Sequence, residues 1–158
     1  IGALSAFCQQ NHTQISYIKP HGALYHDMMQ DMAIFETIVR TISTHSQHLA
    51  LMLLANKNWP AFVNIAEKYQ TKLIFEAFAD RSYNDDGSLV SRQLDNAVHT
   101  DPQMILQQAK SIAKHGFVTT ISGNKLTITA GTLCVHGDNL QSVQNIKQIR
   151  QMLAENHN

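Results

Sequence analysis

Three stretches of this 158-residue chain gather side chains that can do chemistry. The first, Lys19-Pro20-His21-Gly22-Ala23-Leu24-Tyr25, puts a cation and a histidine beside a flexible backbone. The second, Glu76 to Arg92, collects Glu76, Asp80, Arg81, Tyr83, Asp85, Asp86 and Arg92 without helical or strand periodicity. The third is His136-Gly137-Asp138. Only 15% of the chain is Asp, Glu, Lys or Arg, so the crowding in the second stretch needs a reason. Long ordered loops in compact domains are usually functional, and the plain alternative is a solvated turn around Asp85-Asp86-Gly87. A histidine placed like His21 serves as a general base, a metal ligand or an oxyanion donor, or lies buried against backbone. Asp138 suits either orienting His136 or capping the last helix. His21, His136 and a loop carboxylate are also of the right types to hold a divalent metal, although their separation in sequence forms no contiguous ligand motif.

The elements that must position these groups follow from periodicity. Ile1, Leu4, Phe7 and Cys8 predict a short amphipathic helix. Ile15 to Lys19 is a brief strand stopped by Pro20. Asp31 predicts a helix N-cap before the stripe Ile34, Phe35, Ile38, Val39 and Ile42. Leu49 to Ala55 suits a strand buried on both faces, although its Leu and Met residues also allow a helix. Asn56 to Pro60 breaks it, and Phe62, Val63, Ile65, Ala66 and Tyr69 form another helical face. Lys72 to Phe78 is a further buried strand. Asp101-Pro102 opens a helix that ends at Gly116. Phe117 to Ile121 and Lys125 to Ala130 predict a hairpin. Thr132 to Val135 is a last strand, and a closing helix starts near Asn139.

Parallel strands alternating with helices make an α/β protein. All three reactive stretches, and the Asn56 to Trp59 segment, follow strand C-termini, the rim where parallel sheets bind ligands. The bulk composition narrows the function. Hydrophobic residues make up 44% of the chain, enough for one domain with a real core. Twelve basic residues balance twelve acidic ones, so no basic field exists to hold nucleic acid. No apolar run approaches a membrane span. Cys8 and Cys134 match neither a zinc nor a redox spacing and suit small buried hydrophobes in a reducing compartment, so a cytoplasmic location is expected. No Gly-rich phosphate-binding motif occurs.

The stretches 19–25 (KPHGALY), 76–92 (EAFADRSYNDDGSLVSR) and 134–139 (CVHGDN) occur in an order and spacing that resemble the LamB/YcsF family, along essentially the whole chain. The family is that of lactam utilization proteins, the A subunits of bacterial ATP-dependent 5-oxoprolinase. The resemblance implies a distorted (β/α) barrel of the glycoside hydrolase and deacetylase type. It implies ATP-driven opening of 5-oxo-L-proline to L-glutamate, with separate B and C subunits. The family's Asp-Leu-Asn-x-Asp strand and Ala-Cys-Gly-x-His-Ala-Gly-Asp motif are absent, and a full barrel takes roughly 250 residues. The chain therefore reads as residues 1–158 of a single partial barrel, the C-terminal portion, with an open strand edge at Ile15 to Ile18 that invites a homo-oligomer.

A lactam is a stable amide, and its hydrolysis needs an activated carbonyl and a directed water. His21, Glu76, Asp80 and His136 are the candidate acid and base groups, with Asp138 orienting. Lys19 and Arg81 are candidate clamps for phosphate or the substrate carboxylate, with Tyr83 and Arg92 as further substrate contacts. Two alternatives share the same rim: a metal-dependent deacetylase or glycosidase using His21 and His136, and an inactive protein that only binds.

Overall fold

The computed structural model describes residues 1–45, 49–136 and 140–154, with side chains of the last helix from residue 145 onward. Its elements run α1 (Gly2–Gln10), β1 (Tyr17–Ile18), α2 (Ala23–Gln30), α3 (Met32–His45), β2 (Ala50–Leu54), α4 (Trp59–Lys68) and β3 (Leu73–Phe78). They continue with α5 (Pro102–Lys110), β4 (Phe117–Thr119), β5 (Lys125–Thr127), β6 (Thr132–Cys134) and α6 (Leu140–Ala154). One sheet has the strand order β1-β2-β3-β6, and β4 and β5 form a separate antiparallel ribbon. The chain divides into two compact units, residues 1–53 with 58–74, and 54–57 with 75–158.

In the first unit β1 pairs parallel to β2 in the register Tyr17 to Ala50 and Ile18 to Leu51. Every residue of β2 is buried, which explains its unbroken apolar run. Asp31 caps α3 as its position in sequence predicts, accepting Ala33 N–H at 2.8 Å. The buried faces of α3 and α4 meet through Phe35 and Phe62, edge to face at 4.8 Å. Tyr69 beyond α4 donates its hydroxyl to Glu36 at 2.8 Å. Residues 55–58 separate β2 from α4 as expected, and Pro60 sits in the first turn of α4, where its missing N–H has no intrahelical acceptor to serve. Residues 23–30, to which the apolar pattern assigns no element, form α2, with Tyr25 and Met28 buried on one side. The apolar stripe of α1 is not covered, since Leu4 is 58% and Phe7 65% exposed.

In the second unit β3 pairs parallel to β6, with Glu76, Ala77 and Phe78 opposite Thr132, Leu133 and Cys134. Asp101 caps α5 by accepting Gln103 N–H at 2.9 Å. The helix passes into a π-helical turn, Ser111–His115, and stops at Gly116, whose φ of 66° is left-handed. Ile105 and Ala109 of α5, Ile149 of α6 and Ala79 beyond β3 form the apolar cluster beneath the strand ends. Asn145 ties α6 to α5 by donating to Pro102 O at 2.8 Å. The β4–β5 hairpin is the expected one, with shorter strands. Cys8 and Cys134 are free thiols, half-buried rather than fully buried. Among the described residues no helix is long and apolar enough to cross a membrane.

Candidate active site

The second unit brings Asp80 and His136 together. Each stands just past the end of a strand, Asp80 two residues beyond β3 and His136 two beyond β6. Because the two strands are parallel neighbours, residues at equal distances past them lie side by side. Asp80 Oδ2 accepts the His136 backbone N–H at 2.8 Å. The His136 Nδ1 lies 3.0 Å from Oδ2 and 3.2 Å from Oδ1. Phe78 covers one face of the imidazole, with the rings nearly parallel at 13° and centroids 5.5 Å apart. Asp80 is completely buried, whereas the His136 side chain keeps 28% of its surface exposed.

The electrostatics follow from that geometry. Burial pushes the Asp80 carboxyl up, but the hydrogen bonds from the His136 ring and backbone and the attraction of its charge outweigh burial, leaving the carboxyl below the ordinary carboxylate value. An ionised Asp80 accepts only, so Nδ1 must carry the proton that faces it. The lone pair of the neutral ring is then on Nε2, on the imidazole of a half-exposed side chain. A buried carboxylate orienting a histidine in this way is an arrangement able to serve general-base chemistry.

The long segment between β3 and α5 folds back on itself through antiparallel bridges, Arg81 with Val98 and Tyr83 with Leu89. Most of its charge serves this fold. Arg81, 3% exposed, donates Nε to Ala97 O at 3.2 Å and Nη2 to Val90 O at 2.6 Å. Those two nitrogens donate to loop carbonyls, so Arg81 staples the loop. Tyr83 is fully buried, and its hydroxyl oxygen accepts Phe78 N–H at 2.7 Å rather than facing solvent. Burial foremost, and the nearby charges of Glu76 and Asp80, push its hydroxyl well up, against the Phe78 bond and Arg81. Asp86 accepts Ser88 N–H at 2.8 Å, making an Asx-type turn. Gly87 closes that turn at φ 91°, with a Cβ at that position only 3.4 Å from Asn56 Cβ and Leu126 Cδ2. Asp85 accepts the Thr120 hydroxyl; bonds from Thr120 and Ser122 hold its carboxyl below the ordinary value.

The remaining candidates are distributed as follows. Glu76 is buried on β3, 1% exposed, within electrostatic reach of Tyr83. Arg92 is exposed on the outer part of the loop. Lys19 and His21 belong to the first unit. His21 is exposed, not buried against backbone, and Lys19 Nζ stands 5.8 Å from the Tyr25 ring centroid. Asp138 lies outside the described residues; among the described residues, Asp80 is a carboxylate in hydrogen-bond contact with the His136 ring. Among the described residues no group of three or more His, Cys, Asp and Glu side chains is placed to hold a metal ion. Three participants escaped the sequence reading: Phe78, Gln108 and His99. Gln108 carried a signal, being a polar residue at helical spacing from Ile105, Ala109 and Ile112 on the apolar face of α5.

Comparison with known proteins adds a family. The LamB/YcsF family model matches residues 1–158. The A subunit of 5-oxoprolinase from Vibrio parahaemolyticus is 45% identical over all of this chain and 62% of its own length. Those of Vibrio cholerae and Pseudomonas fluorescens are 46% and 44% identical over 98% of this chain, again covering 62% of each relative. The chain thus spans less than two thirds of the curated relatives it matches. A crystal structure of a lactam utilization protein from Thermus thermophilus superimposes with a TM-score of 0.84 at 27% identity, over 98% of this chain and 61% of the other.

Proposed function

The chain belongs to the LamB/YcsF family, and from that premise we propose that it serves as the A component of a 5-oxoprolinase, opening the lactam of 5-oxo-L-proline to L-glutamate with ATP and with separate B and C subunits. Two things support the reading: the name carried by relatives at 44–46% identity, and the oriented histidine. The carrying observation is the Asp80–His136 pair, because a lactam resists hydrolysis unless a base directs water at its carbonyl.

The chemistry assigned to this chain is proton transfer. His136 Nε2 takes a proton from water as the water oxygen bonds to the lactam carbonyl carbon. Collapse of the tetrahedral adduct breaks the ring C–N bond, and the proton held on Nε2 passes to the departing nitrogen, which becomes the amino group of glutamate. Asp80 stabilises the imidazolium between the two transfers and keeps its ring aligned. ATP, when bound in the complex, supplies activation of the carbonyl. Among the described residues no group of three or more His, Cys, Asp and Glu side chains is placed to hold a metal ion, and the steps assigned to this chain are those of its own acid and base groups.

The test is 5-oxoproline turnover with ATP, with and without partner subunits, for the parent and for His136→Ala and Asp80→Asn. Turnover that needs the partners and falls in both variants supports the reading. Parent-level turnover in both variants sinks it. Release of acetate from an acetylated sugar, in place of glutamate from 5-oxoproline, would move the chain to the deacetylase class.

A further inference from the structure

Against the turn that bears Asp80 stands a side chain that neither the family resemblance nor the proton-transfer scheme uses. Gln108 projects from α5 toward the turn that carries Asp80. Its Nε2 lies 2.8 Å from Phe78 O, 2.7 Å from Arg81 O and 3.3 Å from Ala79 O. The carbonyl between these, that of Asp80 itself, accepts His99 N–H at 2.9 Å. All four consecutive carbonyls of residues 78–81 are therefore held by one glutamine and one neighbouring peptide.

The chemistry fixes which way the amide faces. Carbonyl oxygens only accept, so the end of Gln108 that meets three of them must be the NH2. Its Oε1 then points the other way, where the His99 ring Nε2 is 3.3 Å distant. An amide oxygen also only accepts, so His99 Nε2 must carry a hydrogen. His99 and Gln108 both line a cavity of about 640 Å³ bounded by the long loop, α5 and the β4–β5 hairpin, which also includes Ser82, Asp95 and Thr120. A chain of oriented donors thus runs from this cavity through His99 and Gln108 to the peptides on either side of Asp80.

We propose that Gln108 is a positioning residue for the Asp80–His136 pair, setting the direction of the Asp80 carboxylate by gripping the turn that bears it, with His99 fixing the orientation of the amide. The strand ladder ends at Phe78, and past it the Ala79 N–H bonds to Cys134 O at 3.0 Å. Without a donor in place of Gln108, the turn loses three carbonyl contacts and the carboxylate is held less firmly. Small displacements of a base from its working geometry cost large factors in rate. The inference rests on the general-base reading of His136, and its test separates the two.

The experiment compares the parent with Gln108→Met, which keeps the volume and loses both donors, Gln108→Glu, which turns acceptors toward acceptors, and His99→Phe, which removes the bond that orients the amide. Two readouts are taken: the ring 15N shifts of His136, which report whether Nδ1 carries the proton, and kcat and KM for 5-oxoproline in the reconstituted complex. Gln108→Met is expected to lower kcat roughly tenfold with KM unchanged and to broaden the Nδ1–H tautomer signal, with a smaller loss in His99→Phe. Should Gln108→Met fail to fold, His99→Phe carries the same comparison. Unchanged 15N shifts and unchanged kcat in folded Gln108→Met and His99→Phe overturn the inference while leaving the proposed activity standing. Altered 15N shifts in variants of a parent that does not turn over 5-oxoproline keep the positioning role and remove the activity.

Discussion

One oxygen of Asp80 receives His136 twice, from the backbone N–H at 2.8 Å and from Nδ1 at 3.0 Å. The first bond fixes where the residue sits and the second fixes how its ring is turned. Phe78, stacked at 13°, covers one face of the ring. Held this way, His136 in the proposed role of base would lose little freedom when substrate arrives.

The first prediction concerns that double bond. Asp80→Asn keeps the shape but offers an amide in place of an acceptor-only carboxylate, so the Nδ1–H tautomer is no longer enforced. Ring 15N shifts are expected to show the Nδ1 proton in the parent and a tautomer mixture in the variant. Turnover in the complex is expected to drop roughly a hundredfold or more, the scale of a lost general base. A parent whose Nδ1 is unprotonated at neutral pH contradicts the geometry directly.

Acid stability gives the second. The folded Asp80 carboxyl titrates below its ordinary value of 3.8. A depressed carboxyl stabilises the fold fully above the unfolded value and loses that contribution as pH falls toward the folded one. The stability gap between parent and Asp80→Asn is therefore expected to be constant near neutrality and to shrink below pH 3.8. Urea titrations at a series of pH values read this gap; one that widens on acidification has the wrong sign.

Tyr83 supplies the third. Its buried hydroxyl accepts Phe78 N–H at 2.7 Å, one peptide from the turn that carries Asp80. Tyr83→Phe removes that acceptor in the interior and is expected to cost about 1–3 kcal/mol in urea unfolding. A loss below about 0.5 kcal/mol would mean that the hydroxyl is not needed there.

What the sequence disclosed tracks how local each feature is. Asp31, Asp101 and Gly116 act on backbone within a few residues, so their capping roles are legible from type and position. The unbroken run at β2 is legible because burial on both faces leaves no room for polar alternation. Asp80 and His136 are each visible as reactive groups, but their union is not: they lie 56 residues apart and meet because β3 and β6 are neighbours. The contact of Asp80 with His136 is a consequence of strand order, which no local pattern encodes. Arg81 and Tyr83 show structural contacts that their types do not disclose. Arg81 Nε and Nη2 donate to carbonyls of the long segment, and the Tyr83 hydroxyl accepts a strand N–H, because buried backbone polar groups must find partners.

Arg81 therefore yields the last prediction, because its two readings part experimentally. As a staple, its fork donates to Ala97 O and Val90 O, carbonyls 16 and 9 residues away, and holds the return strand of the loop. Lysine carries its donors on one nitrogen, so Arg81→Lys keeps the charge but does not reproduce the separate Nε and Nη2 positions that reach the two carbonyls. Each bond from a charged donor contributes about 1.5–3 kcal/mol, and losing one of the two should lower unfolding stability on that scale. Hydrogen exchange should then quicken at Ser82 and Gly87, whose N–H groups bond within the loop to Ala97 O and Asn84 O. A clamp for substrate behaves otherwise: Arg81→Lys would raise KM while stability and exchange stayed at parental values. Since Arg81 adjoins Asp80 in sequence, loosening the staple should also lower kcat, and the joint loss of stability and kcat with little change in KM is the signature expected here.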